Sequence, residues 1–196
     1  MSPEIRIRYG WHLDELFRHF IELDPEIRKK RYPSREEIEV KIKDYRNAWE
    51  KIENKILTAI SDVLKLKFYQ EVIDVYIVGR SRSFSDPMII SSHFAADEFC
   101  DILVHELIHR ILTDNTKNVD VGPIWSEMFK GELRLVRNHV LVHAVHEYIY
   151  REILKDDARL ERDINNANEF PEYKRSWDIV KKKGYHKIIK SFKSYF

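Results

Sequence analysis

The chain has 196 residues, 43% of them hydrophobic, with 34 Lys and Arg against 33 Asp and Glu. That length and apolar content suffice for one domain with a real core. The near-zero net charge excludes a general electrostatic pull toward nucleic acid or an anionic membrane. Cys100 is the sole cysteine, so no intrachain disulfide forms, and its apolar neighbours mark it as a small buried hydrophobe. Met1-Ser2-Pro3-Glu4-Ile5-Arg6 lacks a basic segment followed by an apolar core, and no run approaches the roughly 18 apolar residues of a membrane span. A cytoplasmic protein is expected. Heavy use of Lys, Glu and Arg beside a single glutamine, Gln70, is a composition seen in proteins from hot environments.

In chain order, Ile5-Arg6-Ile7-Arg8-Tyr9 alternates as a short strand, ended by Gly10. Residues 11–23 have apolar positions at 13, 16, 17, 20 and 21, the spacing of a helix with one buried face. Asp24-Pro25 breaks the pattern, and 27–32 is a basic connector. Its Arg28-Lys29-Lys30-Arg31 run is surrounded by acids, so no nucleic-acid partner is expected. Ser34 and Glu37 form a capping box for a long helix reaching about Lys65, with Ile38, Ile42, Tyr45, Trp49, Ile52, Ile56, Ile60 and Val63 on its apolar face. From Val72 the period changes. Val72-Ile73-Asp74-Val75-Tyr76-Ile77-Val78 reads as a buried strand ended by Gly79, residues 80–87 as a polar loop, and Met88-Ile89-Ile90-Ser91-Ser92 as a second short strand. His93, just beyond it, is a candidate to support a nearby site, although a lone loop histidine is more often simply solvated.

The next segment carries chemistry. Asp97 and Glu98 open a helix, apolar residues continue through Leu112, and Thr113-Asp114-Asn115 supplies a stop. Within it stands Val104-His105-Glu106-Leu107-Ile108-His109. Residues four apart share a helix face, so His105 and His109 present two imidazole nitrogens to one point, a set that suits Zn²⁺. A third protein ligand and a water complete a tetrahedral site, and Glu106 is placed to take a proton from that water. In this stretch, residues 95 to 114, the chain resembles the zincin metallopeptidases. The resemblance implies a catalytic zinc on His105 and His109 with Glu106 as general base and acid, and strands ahead of the metal helix, the last of which is the substrate's edge. Met88 to Ser92 is therefore either the edge for an extended peptide or an ordinary core strand. The metzincin extension requires Gly at 112 and His at 115, where this chain has Leu112 and Asn115.

Several residues compete to be the third ligand. Val121-Gly122-Pro123 starts a helix holding Glu127, which stands at a suitable separation but precedes Met128-Phe129-Lys130 rather than the thermolysin-like context. Gly131 interrupts it, and a helical pattern runs from Glu132 to about Leu154. There His139 and His143 repeat the four-residue spacing on a second helix. His139 is the favoured third ligand, and His143 a fourth ligand or a donor to a developing oxyanion. Glu132 and Glu147 remain alternatives; Glu147, beside His146, is also suited to holding an imidazole.

The remainder is helical: charge-rich 151–164, an Asn165-Asn166-Ala167-Asn168 linker, a helix opened by Pro171 and capped by Gly184, then an amphipathic 185–196 that packs on the body or covers the cleft. The expected whole is one mainly helical α+β domain over 1–196, zincin-like, with N-terminal helices in 11–65, a small sheet in 72–92, metal-site helices in 96–155 and C-terminal helices in 171–196. The expected function is zinc-dependent hydrolysis of a peptide or protein substrate. Its rivals are a non-catalytic zinc protein with four histidines closing the site, and a zinc hydrolase of another substrate.

Overall fold

Parallel strand pairing and helix packing divide the work of burying this chain. The computed structural model describes residues 2–23, 31–117 and 119–195; the expected break at Asp24-Pro25 and most of the basic connector 27–32 lie outside them. The chain splits into two compact units, 3–53 with 70–107, and 54–69 with 108–196 plus the first two residues. The architecture is α+β and mainly helical.

The first unit holds a four-stranded sheet of β1 (Glu4–Tyr9), β2 (Val72–Val78), β3 (Phe84–Ser85) and β4 (Met88–Ser91), in the order β1-β2-β4-β3. β1 runs parallel to β2 from Glu4 opposite Val72 to Tyr9 opposite Ile77, and β4 runs parallel to β2 on its other side. Ile73, Val75 and Ile77 are buried at period two, as a strand packed on one face requires. β3 was not foreseen within the polar loop. The Asp86-Pro87 turn folds it back antiparallel to β4, Phe84 opposite Ile89 and Ser85 opposite Met88. Of the two expectations for Met88 to Ser92 the structure favours the interior strand over the substrate edge: β4 has β2 on one side and, along Met88 and Ile89, β3 on the other.

Helix α1 (Trp11–Leu23) also departs from expectation. Its buried residue is Asp14, while Leu16 and Phe20 on the apolar stripe are 49% and 57% exposed. The helix docks by hydrogen bonds instead: the Asp14 carboxylate accepts from the Gly79 N–H at 2.6 Å, the Tyr32 hydroxyl at 2.6 Å and the Tyr9 hydroxyl at 2.7 Å. α2 (Arg35–Trp49) begins with the expected capping box of Ser34 and Glu37 and buries Ile38, Ile42, Tyr45 and Trp49. Arg46 donates twice to the Ile7 carbonyl of β1.

The predicted long helix breaks after Trp49 and resumes as α3 (Glu53–Leu64). No Pro or Gly marks the break. Its cause is tertiary: α2 packs in the first unit, whereas α3 from Asn54 onward supplies Ile56, Leu57, Ile60 and Leu64 to the core of the second. α4 (Ala96–Asp114) is one continuous helix whose residues through Leu107 count with the first unit and the rest with the second.

The second unit continues with α5 (Val121–Met128), α6 (Arg134–Tyr148), a π-helical turn (Ile149–Leu154), α7 (Asp157–Ala167), α8 (Pro171–Lys183) and α9 (Tyr185–Lys193). The single helix expected over 132–154 thus widens at its end, where consecutive Ile149 and Tyr150 are both fully buried. The expected linker at 165–168 is helical as far as Ala167. α8 and α9 pack against α6. Trp177, Val180, Ile189 and Phe192 fill that core with Val140, Leu141, Ala144 and Val145. No described helix is long and apolar enough to cross a membrane.

Candidate metal centre

The ends of α4 are set locally. The Ala95 N–H donates to the Glu98 carboxylate at 3.1 Å, and Asp97 and Glu98 place negative charge in the first turn. At the other end the Asn115 side chain donates to the carbonyls of Ile111 and Lys67, both at 2.7 Å, closing the helix. Between them Phe99, Cys100, Leu103, Val104, Leu107, Ile108, Ile111 and Leu112 are buried, which fixes the helix's rotation. His105 and His109 are half-buried on one face, and Glu106 is 8% exposed.

α6 begins afresh because Gly131, at φ 88°, takes a left-handed conformation that a side chain would strain. Starting at Arg134 puts His139 in the second turn. Its Nδ1 lies 2.8 Å from the Leu135 carbonyl. A carbonyl only accepts, so Nδ1 carries the proton and Nε2 keeps a lone pair. The rings of His109 and His139 meet edge-on with centroids 4.9 Å apart. One ring nitrogen from each of His105, His109 and His139 lies within 4.8 Å of the others, the one such trio of potential ligands among the described residues. These three histidines could form a metal site.

Two observations test the fit. Three nitrogens at zinc's usual bond length of about 2.0–2.1 Å stand roughly 3.4 Å apart in a tetrahedron, and those of the trio lie within 4.8 Å of one another. Burial, reinforced by His139, lowers His109 to about 3. Burial also lowers His139, against the opposing bond to Leu135. Both rings are therefore neutral near pH 7, the state a metal requires. Burial raises Glu106 to about 7, a range in which a carboxyl group can both take and give a proton.

The other candidates are held elsewhere. His143 is buried, its ring stacked 4.5 Å from that of Trp177 and centred 5.7 Å from that of His139. Ser176 donates its single proton to the Tyr173 carbonyl at 2.7 Å, so its oxygen accepts from His143 Nδ1 at 2.8 Å. In that tautomer His143 Nε2 offers a lone pair, and burial keeps the ring neutral by holding its pKa well below the usual range. Glu127 accepts from the Tyr195 hydroxyl. Glu132 pairs with Arg175 at 2.6 Å, and Glu147 with Arg151 at 2.9 Å. His93 shares a 2.7 Å hydrogen bond with Ser91.

The carboxylate that holds an imidazole is Asp163 of α7, 2.8 Å from His146 Nδ1, rather than Glu147. Tyr173, whose ring centroid lies 4.4 Å from that of His139, was likewise not anticipated. Tyr173, Ser176, Trp177 and Val180 share one face of α8, and a serine on such a stripe is the signal that a buried polar group faces it. Burial pushes the Asp163 carboxyl up, but the hydrogen bond and charge of His146 outweigh it and hold the pKa below 3.8. A depressed carboxyl contributes stability that is present above its unfolded value and lost as pH falls through the folded one. Asp163→Asn should therefore cost roughly 2 kcal/mol near neutral pH. That gap from wild type should close below about pH 4 in urea melts.

No family model matches the sequence, and neither a curated protein nor a solved structure gives a match to it.

Proposed function

We propose that this protein is a zincin-type, zinc-dependent hydrolase that cleaves peptide bonds in a peptide or protein substrate. The observation that carries the reading is the convergence of His105, His109 and His139 within 4.8 Å, with the buried Glu106 directly after the first of them. Three all-imidazole ligands leave a coordination position open, the arrangement of catalytic rather than structural zinc. Zinc held by His105, His109 and His139 would supply Lewis-acid polarisation of the scissile carbonyl and would acidify the attacking water. Glu106 accepts that water's proton and returns it to the leaving amine as the carbon–nitrogen bond breaks. The Leu135 carbonyl, by fixing the proton on His139 Nδ1, keeps Nε2 as the ligating atom. His143 lies outside the trio, its ring centred 5.7 Å from that of His139, which supports a three-ligand site over a closed four-histidine one. The reading also places the protein in the cytoplasm, where its one buried thiol, Cys100, needs no pairing.

Metal content by elemental analysis tests the reading, on wild type and on His109→Ala, His139→Ala and His143→Ala, each checked for folding by circular dichroism. The expected result is about one zinc per chain, lost in the first two variants and retained in the third. Loss in all three means a closed site without room for catalysis. A metal-free wild type, purified without chelators, removes the basis of the reading.

A further inference from the structure

A crevice of about 550 Å³ opens within the first unit, lined by Arg31, Pro33, Lys41, Gly79, Arg80 and His93, among others. It lies just beyond the carboxyl ends of the adjacent parallel strands β2 and β4, since Gly79-Arg80 follows the first and Ser92-His93 the second. In open sheets of parallel strands ligands sit outside that end, as a rule where the strand order reverses; here β1, β2 and β4 follow one direction, and it is the crevice itself that marks the place. The volume falls in the usual range for small-molecule sites, about 300–1,000 Å³.

Its walls are fixed in place. Ser91 and Ser92 both donate from their hydroxyls to the Gly79 carbonyl, at 3.0 and 3.2 Å, latching the two strand ends together. Tyr32 packs so closely on Gly79 that a Cβ there would collide with its ring, and the Asp14 carboxylate ties the Tyr32 hydroxyl and the Gly79 N–H to one point. Pro33 lies against the same glycine, and Arg31 is tied to Glu37 by its side chain and to Arg80 through its carbonyl. On the other wall, Glu37, Val40, Lys41 and Asp44 form one stripe of α2.

The charges are arranged for an anion. Arg31 and Glu37 neutralise each other at 2.8 Å. Lys41 donates to the Phe94 carbonyl at 3.1 Å and Arg80 to the Arg31 carbonyl at 3.3 Å. Main-chain carbonyls orient these two cations without cancelling their charge. Val40 and Pro33 add apolar surface. We propose that this crevice is a second ligand site, separate from the histidine trio, that binds a phosphorylated small molecule of mononucleotide size. The phosphate faces Arg80, Lys41 and His93, and the organic part lies over Pro33 and Val40, with Asp44 accepting from a hydroxyl. Arginine's planar fork suits phosphate oxygens in pairs.

Isothermal titration calorimetry with AMP, ribose 5-phosphate and adenosine tests this on wild type, Arg80→Gln, Lys41→Gln and His109→Ala. At least one phosphorylated probe should bind saturably, and adenosine at least tenfold more weakly. Each of Arg80→Gln and Lys41→Gln should weaken the phosphorylated probe roughly tenfold or more, the worth of one charged hydrogen bond, without changing the unfolding midpoint. His109→Ala should leave binding intact. Absence of binding by both phosphorylated probes at millimolar concentration overturns the proposal. So does binding that survives both crevice substitutions, or that disappears in His109→Ala, which would put the phosphate on the histidines instead.

Discussion

Glu106→Gln is expected to lower peptide hydrolysis by roughly 10²–10⁴-fold, the usual worth of a positioned acid–base group, while zinc content stays at the wild-type level. Glutamine keeps the shape of the side chain but cannot take up a proton. Its effect on stability should run the other way. Burial is the cause given by the structure for the raised Glu106 pKa, so the ionised carboxylate is costly in its place and a neutral amide costs less. The variant should therefore unfold at the same urea concentration as wild type or a higher one. The assay is mass-spectrometric detection of new termini in a mixed peptide library, run with matched zinc occupancy. Unchanged hydrolysis would remove Glu106 from the chemistry. Loss of zinc together with activity would give it a structural role instead.

The parts of this architecture legible in the sequence are those written in local chemistry. Ser34 and Glu37 set the start of α2 through one reciprocal pair of hydrogen bonds, and both partners lie within four residues. Asn115 ends α4 by bonding back to Ile111. The four-residue spacing of His105 and His109, repeated by His139 and His143, pointed to two helices sharing one site; the structure groups His139 with the first pair and gives His143 to Ser176. What stayed hidden depends on distant partners. Period alone gave α1 an apolar buried face, yet the helix is anchored by Asp14, whose donors lie at positions 9, 32 and 79. The break between α2 and α3 has no breaker residue, because it follows from the cores that the two halves serve. Glu147 and Asp163 are equally plausible partners for a histidine on α6. Only the packing of α7 and α8 decides between them.

Asp14→Ala is expected to cost about 3–5 kcal/mol, the range for removing one member of a buried, hydrogen-bonded charged group. Three donors converge on this carboxylate, and Arg18 adds its charge from 3.7 Å. Alanine would leave the buried Gly79 N–H without its acceptor, a penalty of roughly 1–3 kcal/mol, and would take the carboxylate from the part-buried hydroxyls of Tyr9 and Tyr32, the latter keeping only the Asp14 carbonyl at 3.3 Å. Burial first, and then the hydrogen bond and charge of Asp14, push Tyr9 up to about 12. Both causes keep that hydroxyl a donor throughout the neutral range. Tyr32→Phe alone should cost about 1–2 kcal/mol. Combined with Asp14→Ala it should add much less than that, because the bond is already gone. Urea unfolding of the four species with a common m-value measures the coupling. Strict additivity, or a loss below about 1 kcal/mol for Asp14→Ala, would mean that α1 is held by its apolar residues after all. Because the same carboxylate fixes Gly79 and Tyr32, Asp14→Ala should also weaken phosphate-probe binding in the crevice even where the protein remains folded.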